Sequence, residues 1–283
     1  MMMEDSLRRF LAEDLPFGDI TSEATIPQTE GRAVIIARET MVIAGIEEAV
    51  FLFNECGVRA DAAIPEGEWA DPNQTILTMT GPVHGILAAE RTVLNLMGRM
   101  SGIATATSRF GRVIESAMPG ARIAGTRKTA PGLRFFDKKA IRIGGGEPHR
   151  YSLSDAILIK DNHLAIAGID EAIRRAKAFS AFRVIECEVE RPEDAIIAAS
   201  AGADIILLDN MSPKTVMKTI DLLKEAGLRE RVTIELSGGI TPKNAGSYAG
   251  CEVDLVSSGW LTHSVRNADL SLDIKKAEKI VRI

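Results

Sequence analysis

"FRVIECEVERPEDAIIAASAGADIILLDN", residues 182–210, decides the fold class. A short run rich in apolar and β-branched residues leads into a helix-like segment, "RPEDAIIAASAG". A second apolar run, "ADIILLD", follows. Strands that are apolar on both faces, joined by a helix, indicate a parallel sheet. The same unit repeats outward from this stretch. "ARIAGT" and "DAILIK" precede it, "RVTIELSGG" and "VDLVSSG" follow, and "GIDEAIRRAKAF" and "SPKTVMKTIDLLKEAG" supply helices. This spacing fits a closed α/β barrel or an open doubly wound sheet. The strand ends favour the barrel: Thr126-Arg127-Lys128, Lys160, Glu188, Asp209, Ser237-Gly238-Gly239 and Ser258-Gly259 are polar or glycine almost throughout. A barrel gathers all such ends at one mouth, where active sites of this architecture lie.

The first hundred residues read differently, as mixed α/β. "SLRRFLAED" and "IEEAVFLFNECG" have helical spacing, the latter closed by Gly57, while "GRAVIIAR" and "QTILTMTG" have strand composition. Pro82 suits the first turn of a helix running through "HGILAAERTVLNLMGRM". No flexible linker or low-complexity tract separates this part from the repeating one.

Composition narrows the function classes. With 46% hydrophobic and 26% charged residues over 283 positions, the chain reads as a soluble globular protein of one large or two modest domains. Its apolar runs fall short of the ~20 residues that span a bilayer, and the charged N-terminal stretch does not read as a signal peptide. Three isolated cysteines, Cys56, Cys187 and Cys251, point to a reducing cytoplasm, not to disulfides or a CxxC metal site. A net charge of −5 argues against a nucleic-acid partner. Between Arg122 and Arg150, however, eight cations face only Asp137 and Glu147, so that window carries +6 and the rest of the chain −11. A basic segment in an acidic chain suits a small anion. Within it, Lys138, Lys139 and Arg142 read as a solvated helix face.

Arg127, His149, Arg150 and Lys160 could converge on a ligand with more than one negative charge, since arginine forks onto a carboxylate and lysine adds a point charge. Glu188 and Asp209 beside such a mouth would repel the ligand unless a magnesium ion or sugar hydroxyls lay between. They could also stabilise positive charge on a reacting sugar carbon. Glu186, Glu188 and Glu190 alternate along one strand and share a face, which in a barrel is not plain solvent. The "SGG" at 237–239, with Gly259 opposite, suits a phosphate cradle. No HExxH, GxSxG, GxGxxG or P-loop pattern occurs, and the glycines at 144–146 read as a tight turn.

With these residues assembled, the chain resembles the quinolinate phosphoribosyltransferases over essentially its whole length. The carriers are "EDLPFGDIT", "ERTVLNLMGRMSGIAT", "TRKTAPGLR", "GGGEPHRYSLSDAILIKDNH", "IECEVERPEDA", "ADIILLDNMSP", "IELSGGITPKN" and "SSGWLTHS". The resemblance implies an N-terminal α/β sandwich domain over 1–103, joined by the C-terminal segment 265–283, and an α/β barrel catalytic domain over 104–264. It implies transfer of a phosphoribosyl group from phosphoribosyl pyrophosphate to quinolinate. The products are nicotinate mononucleotide, pyrophosphate and carbon dioxide, on the route to NAD. Thr126, Arg127, His149, Arg150 and Lys160 would hold quinolinate. Lys128, Glu188 and Asp209 would be catalytic and bind phosphoribosyl pyrophosphate, with Mg2+ at the two carboxylates. Ser237, Gly238, Gly239 and Gly259 would cradle phosphate. Arg91 would reach the quinolinate site of a neighbouring subunit, implying a homodimer or larger homo-oligomer.

Two departures stand out. Pro148 replaces the asparagine usual before the His-Arg pair, removing a backbone donor and an amide, and leaves the orientation of His149 open. Trp260 stands where a small residue is expected. A molybdenum-transport-associated paralogue, a nicotinate-specific phosphoribosyltransferase and a non-catalytic anion-binding barrel remain alternative readings.

Overall fold

The computed structural model describes residues 2–275. By internal packing the chain divides into two units. One comprises residues up to Ala106, Pro131–Gly144 and the described residues from Val265 onward; the other comprises Thr107–Ala130 and Gly145–Ser264. The remainder of the C-terminal segment, 276–283, lies outside the described residues.

In the first unit, helices α1 (Met2–Asp14) and α2 (Ile20–Thr25) precede β1 (Glu30–Ala37) and β2 (Met41–Val42). Next come α3 (Ile46–Glu55), β3 (Arg59–Ala62), β4 (Trp69–Ala70), β5 (Thr75–Pro82) and the 35-residue helix α4 (Val83–Ala117), within which the division falls. Pro82 ends β5 and immediately precedes the first helical residue, and α4 continues well beyond the apolar pattern read for it.

The second unit begins with the end of α4 and β6 (Arg122–Ala124), before α5 (Arg134–Ile143) returns to the first. The chain then runs through β7 (Ile157–Ile159), α6 (Asp161–Leu164), α7 (Ile169–Phe179) and β8 (Ile185–Val189). It continues through α8 (Pro192–Ala201), β9 (Ile205–Asp209), α9 (Pro213–Glu225), β10 (Thr233–Ser237), β11 (Leu255–Ser257) and α10 (Trp260–His263). Finally β12 (Leu270–Lys275) pairs antiparallel with β1 in the sheet β12-β1-β5-β3.

Within the first unit, α5 is not a solvated face. Lys138 is only 4% exposed, and Lys139 reaches Glu47 and the fully buried Glu48 at 2.6 and 2.8 Å. Asp137, also fully buried, takes a two-pronged contact from Arg99 at 2.7 and 2.8 Å. Dense charge on a short helix suggests solvent when helical position alone is considered. Here opposite charges on α3 and α4 meet it, and of Lys138, Lys139 and Arg142 only Arg142 is exposed.

The second unit carries six parallel strands in the order β6-β11-β10-β9-β8-β7, and a bridge between Ala124 and Glu147 extends the row beside β6. The strands are short, and one face of each is apolar and covered. Ile206, Leu208, Ile234, Leu236 and Val256 are fully buried, each such side chain contributing about 1.5–3 kcal/mol by leaving water. Helix α8 ends at Gly202, whose φ of +91° is a left-handed cap that an L side chain resists. Helix α9 starts at Ser212, whose hydroxyl accepts the Thr215 N–H, with Pro213 in the first turn. The register sets Asp209 directly beside Ser237, so the strand ends finish level.

Candidate active site

A cavity of about 450 Å³ lies in the second unit, lined by Thr126, Arg127, Lys128, His149, Arg150, Leu158, Lys160, Glu188, Leu207, Asp209, Asn210, Glu235, Ser237, Gly238, Gly239 and Ser257. Side chains alternate across a strand with period two. Thus Leu158 and Lys160, Leu207 and Asp209, and Glu235 and Ser237 each enter the same space from one strand. Of the thirteen residues expected from sequence, Arg91 and Gly259 alone are absent from this lining. Arg91 lines a separate cavity of about 230 Å³ in the first unit, with Arg99, Glu13 and Asp14 among its neighbours. Gly259 stands behind Lys128: a Cβ there would lie 2.8 Å from the Lys128 Cδ, so glycine leaves room for the lysine stem.

The cationic side is built on short local devices. The Lys128 N–H donates to Thr126 Oγ1 at 3.0 Å, and Thr262 Oγ1 donates to the Lys128 carbonyl at 2.7 Å, fixing the turn after β6. Arg127 keeps its Nε buried with no hydrogen-bond partner among the described residues. Burial, and then the neighbouring Arg127 guanidinium, press Arg150 below its ordinary pKa. Two guanidiniums crowded in this way create a demand for an anion. The Lys160 N–H donates to His163 Nδ1 at 3.0 Å, holding the strand end, while the Lys160 ammonium pairs with Glu188. The cation expected at one substrate and the carboxylate expected at the other are therefore joined directly.

On the opposite side, Asp209 accepts the Asn210 side-chain N–H at 2.6 Å. Gly238 and Gly239 both have positive φ, and a Cβ on Gly238 would lie 2.4 Å from the Asn210 backbone nitrogen. Glycine is thus required for the loops after β9 and β10 to meet.

His149 sits beneath the cations with φ +58°. Its Nδ1 accepts the Arg150 N–H at 2.8 Å, and its Nε2 lies 3.5 Å from Glu186 and 3.4 Å from Glu235. Burial works against the imidazolium, but the two carboxylates outweigh it and raise the His149 pKa to about 9. The N–H contact to Nδ1 suits a neutral ring; two buried carboxylates favour the cation. Burial raises the Glu186 pKa, partly offset by His149. Trp260 does not line the cavity and packs edge-on against Phe110, with centroids 6.1 Å apart.

Sequence reasoning missed Glu235, and it named Glu186 only as a neighbour of Glu188. The signal was available: each lies two residues before an expected mouth residue, and so on the same strand face. Glu190, beyond the end of β8, is exposed.

No helix among the described residues is long and apolar enough to cross a membrane. The family model described as quinolinate phosphoribosyl transferase, N-terminal domain, matches residues 19–101, and that for the C-terminal domain matches 103–273. The chain is 45% identical to a probable nicotinate-nucleotide pyrophosphorylase [carboxylating] of Methanothermobacter thermautotrophicus, covering 96% of this chain and 99% of that one. It is 40% identical to the nicotinate-nucleotide pyrophosphorylase [carboxylating] of Mycobacterium leprae, covering 95% and 96%. Among solved structures, the nicotinate-nucleotide pyrophosphorylase of Francisella tularensis superposes with a TM-score of 0.91 at 34% identity, covering 97% and 96%. The sequence blocks, the strand-end cavity and these matches agree: the chain belongs to the quinolinate phosphoribosyltransferase family.

Proposed function

We propose that this protein transfers the phosphoribosyl group of phosphoribosyl pyrophosphate to quinolinate and removes the 2-carboxylate. The products are nicotinate mononucleotide, pyrophosphate and carbon dioxide, for NAD biosynthesis. One observation carries this reading. A single cavity joins a cationic side, with Arg127, Arg150 and Lys160, to a side bearing Glu188, Asp209 and the 237–239 glycine loop. Burying a dianion demands matched cations, and the carboxylates have no use in simple anion capture.

Quinolinate would lie against Thr126, Arg127, His149, Arg150 and Lys160, its two carboxylates answering the crowded cations. Phosphoribosyl pyrophosphate would lie on the other side, its phosphates at Ser237, Gly238 and Gly239 and near Lys128, which Gly259 backs. The pyridine nitrogen attacks the anomeric carbon as the bond to pyrophosphate breaks. Positive charge then develops on the ribose, where Glu188 and Asp209 stabilise it. Lys128 offsets the charge of the departing pyrophosphate. The bond from ring C2 to its carboxylate then breaks, carbon dioxide leaves, the pyridinium receives the electron pair, and a proton replaces the lost group. The protein's work is positioning and charge arrangement.

Magnesium suits two carboxylates that line one cavity with hard oxygen donors; Glu188 and Asp209 would hold it, and it would offset pyrophosphate charge. Arg91, which lines no part of this cavity in its own chain, is proposed to serve a neighbouring subunit in a homodimer or larger assembly. The proposed compartment is the cytoplasm, in keeping with three unbridged cysteines. The reading is tested by initial rates with phosphoribosyl pyrophosphate and either quinolinate or nicotinate. Turnover of quinolinate is expected; turnover of nicotinate alone would overturn the assignment.

A further inference from the structure

Three facts about His149 converge. Its backbone occupies a left-handed conformation at φ +58°, which side chains other than glycine resist and which persists only when the surroundings impose it. The residue before it is Pro148, with no N–H or amide to orient the ring. Beneath it lie two carboxylates, Glu186 on β8 and Glu235 on β10, whose side chains are 3% and 1% exposed. The Glu186 Oε1 atom and both Glu235 oxygens have no hydrogen-bond partner among the described residues. Two buried carboxylates beside an anion-binding cavity, one of them, Glu235, in its lining, are costly as charges and repel the anion. The counter-charge that faces both is the imidazole, whose Nε2 stands within 3.5 Å of each, while Arg150 also acts on Glu186.

We propose that Glu186 and Glu235 are positioning residues, which clamp Nε2 of His149 from two strands and so hold the His149–Arg150 turn in the shape that receives the dianionic acceptor. Neither reading of the sequence nor the family match assigns them this part, and the proposal rests on the quinolinate reading above. Because Nε2 faces the two carboxylates and Nδ1 lies against the Arg150 backbone nitrogen, His149 acts at the acceptor through its fixed place. The clamp also answers what orients this histidine in a chain with proline before it.

The sign of the effect separates clamp from background field. Removing a buried negative charge near an anion site should tighten anion binding if only the field matters. Removing a clamp should loosen it. In the full-length protein, calorimetry measures quinolinate and phosphoribosyl pyrophosphate separately on Glu235→Ala, Glu235→Gln and Glu186→Gln. Glu235→Ala is expected to weaken quinolinate about tenfold or more, with phosphoribosyl pyrophosphate changed less than about twofold. Glu235→Gln should recover part of the loss, because its amide oxygen still offers an acceptor to Nε2–H from the same position; it also serves if the alanine variant does not fold.

Tighter quinolinate binding, or equal loss for both ligands, would overturn the proposal. So would a stoichiometric divalent metal in the wild type that Glu235→Ala loses, since His149, Glu186 and Glu235 also form a possible cation set. Slow exchange of the His149 Nε2 proton, lost in Glu235→Ala, reads the clamp with no substrate present. A wild type that shows this but binds no quinolinate would sink the proposed function and leave the clamp standing.

Discussion

Replacing Lys160 by alanine separates the two halves of the proposed site. The Lys160 ammonium is paired with Glu188, the side chains being 42% and 11% exposed, so the substitution removes a cation from one substrate and a partner from a carboxylate facing the other. On the quinolinate side the loss is a charge-assisted contact, about 1.5–3 kcal/mol, or roughly 10- to 150-fold in affinity at 1.4 kcal/mol per tenfold. On the phosphoribosyl pyrophosphate side the loss is that of a partly exposed ion pair, about 0–1 kcal/mol, or less than about fivefold. Steady-state KM values for each substrate, with the other saturating, should therefore diverge by at least about twofold and by about 20-fold at the middle of these ranges. Calorimetry on the separate ligands checks that KM follows binding. Equal weakening of both substrates, or weakening confined to phosphoribosyl pyrophosphate, would refute the assignment of Lys160 to the acceptor.

Other expectations follow from particular contacts. Gly238→Ala puts a Cβ 2.4 Å from the Asn210 nitrogen at a φ of +90°, so a loss of at least about 1–2 kcal/mol and a raised KM for phosphoribosyl pyrophosphate are expected; an unchanged melting temperature would contradict the required close approach. His149 has a raised pKa, about 9, so its imidazolium contributes stability fully below the unfolded value near 6.5 and loses it as pH rises through 9. Melting temperature should fall more steeply over that window in the wild type than in His149→Gln. Lys139→Met leaves the buried Glu48 carboxylate without its cation and should cost about 3 kcal/mol in denaturant unfolding, with no selective change in either KM. Mixing Arg91→Ala with Lys160→Ala should restore part of the lost activity if sites are shared between subunits; no restoration despite demonstrated subunit exchange counts against sharing.

The barrel strands were legible because their signal is local: residues 205–209 are apolar on both faces and end on Asp209, and 233–237 keeps Ile234 and Leu236 on one face and ends on Ser237. The mouth was legible for the same reason, and eleven of the thirteen expected site residues line one cavity. What sequence left obscure depends on partners far along the chain. Lys139 looks solvent-facing until Glu47 and Glu48, some ninety positions away, come to meet it. Residues 131–144 carry no mark of packing with the first unit, because that follows from contacts such as Arg99 with Asp137. Glu235 looks like an ordinary polar interruption of a strand until the fold brings Glu186 and His149 beside it. The pairing of Lys160 with Glu188 could not be read from two strand ends considered apart.

Product stoichiometry tests the central claim most directly. The purified protein, given quinolinate labelled at the 2-carboxylate, phosphoribosyl pyrophosphate and magnesium, is assayed for labelled carbon dioxide, pyrophosphate and nicotinate mononucleotide in one time course. A cavity that grips a dicarboxylate and directs ribosyl transfer to its ring nitrogen predicts equal amounts of all three. Pyrophosphate released without labelled carbon dioxide, or no turnover until nicotinate replaces quinolinate, would contradict it.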